Sequence, residues 1–412
     1  MKHILRRVLR TALCLLSAAL FTALISPWAF GQSGFSRKII TFNSPCDVPF
    51  EHPTTLALRP DGRLFVGQQN GMIFMLTLDA QLNVASVKCI PTIYDRDKVN
   101  HRLVTGMAFG SYFFAAGSPS YIGPDLYVSH SDGRFYDDNI DIHSGTVTKL
   151  VGSDYLTGVD IAANLPRSRA DHAPNGLAFG PDGMLYLAIG GNTNAGLPSQ
   201  FFRWLDEMPL GAGVLKIEPT PGGAVSLYAT GLRNPYDLVW HSNGNLYVND
   251  NGANGGLGNR PLQGCGDDGT DPGTTHDELN RILAGRYYGH PNPSRGECIF
   301  NGGRNFVAPM YQYSDLGSSS DGIAEYTATL IPGFHGNLFT TNFSAPAPRK
   351  IMRLVLSADG KQVTSALPFA SEYDYLNPLD VVISDDGTTL FIAEYGGNRI
   401  SALRWQSPTA GS

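Results

Sequence analysis

The side chains of this 412-residue chain that could do chemistry are spread over short loops. Three histidines, His52, His101 and His172, each stand just ahead of an apolar run. Imidazole is the side chain that changes charge near neutral pH, so a histidine held at the mouth of a cavity suits proton transfer. An Arg-Asn pair, Arg233 and Asn234, opens GLRNPYDLVW, and NDNGANG follows from Asn249, bringing Asp250, Gly252 and Ala253. Glycine-rich backbone beside a carboxylate offers oxygen ligands, which is what calcium takes. A further acidic stretch, Asp267, Asp268, Asp271, Asp277 and Glu278, lacks EF-hand spacing and reads as a solvated loop tied down by Cys265, with Asp277 and Glu278 structural. Each candidate also has a plainer reading. A histidine before a strand is an ordinary loop residue, and Arg233 can simply hydrogen-bond neighbouring loops.

These loops are positioned by a repeat. The stretch HAPNGLAFGPDGMLYLAIG (His172 to Gly190) has a polar lead, an apolar run, a Pro-Asp-Gly turn and a second apolar run, which reads as a β-hairpin. Copies begin near Thr55, Thr105, Gly176, Tyr236, Gly322 and Leu379, about 50 to 85 residues apart once insertions are counted. A third strand follows in GMIFMLTL (Gly71), GTVTKLV (Gly145), GVLKIEP (Gly213) and KIMRLVL (Lys350). Six such units, with no helical period after Gly31, predict an all-β, six-bladed β-propeller. In that fold the loops before each first strand and after each second strand share one face. It collects His52, His101, Arg102, His172, Arg233, Asn234, Asp321 and Asn377 from the first set. Gln68, Gln69, His130, Asp132, Asn192, Asn194, Asp250, Asn251, Asn342 and Glu394 come from the second. The Asp-Gly and Asn-Gly turns fall on the other face.

The chain begins with Lys2, Arg6, Arg7 and Arg10, then an apolar run to Phe30 and small residues near Gly31, the pattern of a secretory signal peptide over 1–31. Cleavage leaves residues 32–412 as a single propeller domain, periplasmic or secreted, with no membrane span remaining. Four of the 30 basic residues and none of the 36 acidic ones lie in the leader, so the mature chain keeps 26 against 36. That balance argues against nucleic acid as a partner. Cys46, Cys89, Cys265 and Cys298 remain, an even number without CxxC spacing, so two disulfides are expected rather than zinc. Three pairings are open, and the local one, Cys46 with Cys89 and Cys265 with Cys298, is the simplest.

The lines DHAPNGLAFGPDG, GLRNPYDLVW, NDNGANG and HDELNRILAGRYYGHPN, in that order, resemble the soluble quinoprotein glucose and sorbosone dehydrogenases over about Thr54 to Leu403. The resemblance implies oxidation of a small-molecule sugar or related alcohol by pyrroloquinoline quinone (PQQ) held with calcium over the channel mouth; the electron acceptor stays open. It assigns His172 as general base and Arg233 as the charge beside the quinone oxygens. Asn234 follows as a cofactor contact, with His101 and Lys350 (or Arg349) as further cofactor-side positions. Gly252 and Ala253 become carbonyl ligands of calcium beside Asp250. The chain departs from the family where two arginines precede the last first strand: Asn377 and Leu379 stand there. Two other readings use the same face. A calcium-dependent lactonase would draft Asn175, Asn234 and Asp250, and a non-catalytic propeller would bind a glycan or protein.

Overall fold

A computed structural model describes residues 34–110, 125–266 and 269–406. The expected signal peptide lies outside the described residues, as do Asp267 and Asp268 of the acidic stretch. Among the described residues, six four-stranded antiparallel sheets stand in a ring, with a two-stranded ribbon of Arg260–Pro261 against Gly269–Thr270. This is the all-β six-bladed propeller that the repeat predicts. Among the described residues the only helical pieces are three-residue 3-10 turns, and no helix is long and apolar enough to cross a membrane.

The innermost strands of blades 1 to 6 are Pro53–Leu58, Arg102–Phe109, Pro174–Phe179, Pro235–Trp240, Ser320–Glu325 and Pro378–Ile383, each packed beside the next, with the sixth against the first. They begin one to three residues earlier than the apolar pattern suggests, because each opens with a bulge against its partner strand. Proline at four of the six starts fits a first strand position. The bulge re-aims the side chains at the channel mouth, where the candidate residues sit.

The hairpin turns behave as the sequence requires. Gly62, Gly183, Gly244 and Gly387 have φ of +84°, +75°, +82° and +71°, the left-handed position that glycine fills without strain. The second strands, such as Leu185–Ile189, are wholly buried, because neighbouring blades pack on both of their faces. Blade 4 takes its third strand, His276–Ile282, only after the long excursion that carries the ribbon.

The ring closes through a strand that the repeat did not mark. Phe35–Ile40 pairs antiparallel with the last strand, Arg399–Trp405, in register from Phe35 opposite Trp405 to Ile40 opposite Ile400, so both chain ends share blade 6. Two disulfides take the local pairing, Cys46–Cys89 with Cα atoms 6.3 Å apart and Cys265–Cys298 with Cα atoms 4.9 Å apart.

Candidate active site

The loop before the first strand of blade 3 carries His172 into the protein, where the residue is 1% exposed. What holds this loop is Arg167, itself fully buried. Its guanidinium donates to five main-chain carbonyls, those of Asp132, Arg134, Ser168, Ala170 and His172. A buried cation needs such acceptors in place of water; here burial still pulls its pKa down to about 10.

The His172 ring is oriented by a backbone acceptor. Gly191 O lies 2.8 Å from Nδ1, and a carbonyl can only accept, so Nδ1 carries the proton and Nε2 the lone pair. Nε2 is 3.9 Å from the exposed Asp171 carboxylate, and the ring packs 5.2 Å from that of Phe202. Burial, and then the charge of Arg233, push the imidazole pKa down to about 3, so it is neutral at any working pH.

Gly191 also donates its N–H to the carbonyl of Arg233, at 2.8 Å. The Arg233 side chain donates to Asn194 O (3.1 Å), Asn194 Oδ1 (3.0 Å) and Asn251 O (3.5 Å), so the guanidinium is fixed by the loops around it as well as being buried. The Arg233–Asn234 turn is capped by Asp250, whose two oxygens accept from the main-chain N–H groups of Arg233 (3.0 Å) and Asn234 (2.8 Å). Burial, with Glu278 beside it, raises the Asp250 pKa well above the usual carboxylate range. Asn234 links across the channel mouth: Asn175 Nδ2 donates to its Oδ1 and its Nδ2 donates to Asn251 Oδ1, each at 3.0 Å. Of the trio a lactonase would need, Asn234 and Asp250 are engaged in these internal bonds, while Asn175 Oδ1 is buried without a hydrogen-bond partner.

Under the same loops lies Glu207, which sequence reasoning missed. It accepts from the N–H groups of Asn192 and Thr193, from Thr193 Oγ1 and from His290 Nε2. Burial would raise its pKa, but the bonds from His290 and Thr193 outweigh that and hold it low. His290 lies in the YGHPN motif, whereas nothing around Glu207 has a pattern.

The loop proposed for calcium is pinned from below. Gly252 N donates to Asp277 Oδ1 and Ala253 N to Thr275 Oγ1, each at 2.8 Å, while Ala253 O accepts from Thr275 N at 2.9 Å. Asp277 also accepts from Ser318 Oγ and Ser320 N of the next blade, the structural role expected for it. Next to Gly252 and Ala253 is a cavity of about 30 Å³, whose walls include Asp250, Asn251 and Glu278. Among the described residues, no three His, Cys, Asp or Glu side chains are grouped to hold a metal.

The remaining candidates lie elsewhere on the rim. His101 has φ +64° and its ring stacks 5.9 Å from that of Tyr94; its buried Nδ1 makes no hydrogen bond. Lys350 Nζ and Asn377 Nδ2 both donate to Phe343 O, at 2.6 and 3.2 Å, so one cation does stand beside the position where the family's arginines are missing. Several residues counted among the loops are instead framework. His130 is buried in its strand, taking a bond from Arg102 at Nδ1 and facing Thr148 at Nε2, and Glu394 accepts from Arg399, Ser401 and the N–H of Leu376.

The fold is a six-bladed propeller whose candidate residues gather at one mouth of the ring. A model of the glucose / sorbosone dehydrogenase family matches residues 50–398, and the chain belongs to that family of sugar oxidoreductases. No curated protein matches the chain by sequence. Among solved structures, it is similar to the PQQ-bound aldose sugar dehydrogenase of Streptomyces coelicolor (21% identity, 90% of this chain and 98% of that one, TM-score 0.58). The apo soluble aldose sugar dehydrogenase of Escherichia coli is comparable, at 16% identity over 90% and 99% of the chains, TM-score 0.61. So is the calcium structure of a Trichoderma reesei carbohydrate-active enzyme of family AA12, at 15% identity over 90% and 96%, TM-score 0.59. At these identities the likeness carries the propeller fold.

Proposed function

We propose that the protein is an exported quinoprotein sugar dehydrogenase that oxidises a sugar hydroxyl, using PQQ and calcium. The observation that carries this reading is the oriented, neutral His172: its Nδ1 donates to Gly191 O, and Gly191 N–H donates to the main-chain carbonyl of Arg233, whose side chain is a buried cation. His172 Nε2 takes the hydroxyl proton, Gly191 O holds the imidazole in that tautomer while Arg167 fixes the loop that carries it, and Arg233 sets a positive charge where negative charge develops. When bound, the quinone would supply the acceptor for the hydride. The residues present fit such a group. Asn192 is buried with neither side-chain atom hydrogen-bonded, Arg233 retains N–H groups beyond its bonds to Asn194 and Asn251, and Lys350 offers a cation from blade 5. Asn192, Arg233, Asn234, His101 and Lys350 would hold the cofactor; the Gly252 and Ala253 carbonyls, beside a cavity of ion size, would hold calcium.

Mixing the protein with calcium and PQQ, then following dye reduction with a panel of aldoses and sorbosone, tests the reading. Turnover on at least one sugar is expected; no cofactor binding at high micromolar concentration removes it. Export rests on the leader and the two disulfides, and N-terminal sequencing of exported protein should start near Gln32. A second reading, a propeller that binds carbohydrate without turnover, draws on one observation: the Arg233 side chain is committed to Asn194 and Asn251, while Asn377 and Leu379 stand in place of arginines. Cofactor-free sugar binding with no dye reduction under any loading would favour it.

A further inference from the structure

Beside His172 the working face opens into a groove of about 500 Å³ between the loops that leave the second strands of blades 3 and 4. Its walls include Arg169, Ser199, Gln200, Phe201, Trp204 and Asn259. Trp204 is 68% exposed, an unusual state for the largest apolar side chain. Its backbone is held in that position: Arg203 and Trp204 have φ of +60° and +56°, two consecutive non-glycine residues in the left-handed region. The turn is closed by Arg203 N to Gln200 O and Trp204 N to Ser199 O, at 3.1 and 2.7 Å. Strain of this kind persists only where the surroundings over-determine it. The surroundings here are two loops laced together, with Ser199 Oγ donating to Leu257 O (2.7 Å), Leu197 N to Asn259 O (3.2 Å) and Asn194 Nδ2 to Asn254 O (2.8 Å).

A run of packed rings connects the groove wall to the candidate site, with Phe202 fully buried between them. The Phe202 ring touches that of His172, the Phe201 ring lies 5.0 Å from that of Phe202, and Tyr136, itself half exposed, adds a third ring 5.6 Å from Phe201. Arg169, three residues before His172, donates to Phe201 O at 3.0 Å. The Trp204 backbone is two residues from Phe202, hence within about 7 Å of it. Trp204, on the same loop as Phe202, stands exposed outside that ring cluster.

We propose that this groove holds the second and later units of an oligosaccharide whose end unit reaches His172, with Trp204 as the platform under one of those rings. A pyranose has an apolar C–H face and a rim of hydroxyls. An exposed indole offers the matching flat apolar face, and the Ser199, Gln200 and Asn259 side chains offer donors and acceptors at its rim. The preformed loops add to this by removing the cost of ordering the site on binding. The proposal rests on the sugar-dehydrogenase reading for what happens at His172, but binding in the groove can be measured without it.

The test is calorimetric titration of the mature, cofactor-free protein with glucose, maltotetraose and cellotetraose, on wild type, Trp204→Ala and Trp204→Phe. One tetrasaccharide should bind at least about tenfold more tightly than glucose. Trp204→Ala should bring it to the glucose level without changing Tm, and Trp204→Phe should keep part of the gain. Tetrasaccharide binding that is the same in Trp204→Ala as in wild type overturns the proposal. So does a wild-type protein that binds neither tetrasaccharide better than glucose. The two readings fail separately: Trp204-dependent binding in a protein that reduces no dye keeps the groove and removes the dehydrogenase. Dye reduction with free aldoses, alongside Trp204-independent tetrasaccharide binding, does the reverse.

Discussion

His172 and Arg233 come from different blades and are joined through one residue: Gly191 accepts from His172 Nδ1 and donates to Arg233 O, both at 2.8 Å. The tautomer of the base and the backbone that carries the cation are therefore both tied to the same residue. Its neighbour Gly190 explains why the strand must end in glycine. A Cβ there would lie 2.6 Å from both His172 Cβ and Asn234 Oδ1.

Gly190→Ala should accordingly push His172 and Asn234 apart. Because displacements of about 1 Å can cost on the order of a hundredfold in rate, kcat should fall by at least tenfold while the far-face hairpins are undisturbed. Steady-state kinetics beside the Tm decides it, and an unchanged kcat counts against the placement of His172.

Arg167→Ala takes one donor from each of five main-chain carbonyls, of which that of His172 keeps a second donor, Ser168 N. The expected cost is about 3–5 kcal/mol, read from denaturant midpoints. A loss below about 1 kcal/mol would mean that the loop carrying His172 is held by something else.

The pH dependence of stability has a definite sign. The folded-state pKa of His172 is about 3, and burial with the charges of Arg102 and Arg96 holds His130 well below its ordinary value of 6.5. Between those values the unfolded chain binds more protons than the folded one, so this stability is complete above about pH 6.5 and is lost as pH falls toward about 3. His172→Gln, which can still donate to Gly191 O, should show a shallower acid loss than wild type over that window. Parallel stability curves would contradict the buried, neutral imidazole.

Much of this was legible from the chain and part was not, for physical reasons. The Asp-Gly turns, the buried second strands and the local cysteine pairing were readable because glycine at positive φ, continuous apolar runs and short loops leave local marks. The closing strand Phe35–Ile40 left none: it is an outer strand, burying mainly its two end residues, and its partner lies at the other end of the sequence. Arg167 and Glu207 were invisible because a single buried charge among polar loop residues has no period; its meaning comes from carbonyls and amides brought back by the fold. His130 and Glu394 were over-read as loop residues, since the sequence does not show that the second strands run up to the mouth.

Calcium should bind at the Gly252 and Ala253 carbonyls. A chelator should lower Tm by several degrees, as loss of a ligand of the folded state does, and Gly252→Ala should remove that dependence, because its Cβ would meet His276 O at 2.5 Å and displace the loop. A Tm indifferent to chelator, with no calcium on elemental analysis, would remove the site.

The central claim is that His172 acts on the sugar's proton, and the direct measurement is a single turnover. Wild-type and His172→Ala proteins, each loaded with calcium and PQQ, are mixed with an aldose that wild type oxidises, and reduction is followed by absorbance. Cofactor Kd values within about threefold of each other are expected, with a rate at least about 10² slower in His172→Ala, the range for loss of a general base. Equal rates in the two proteins would contradict that claim.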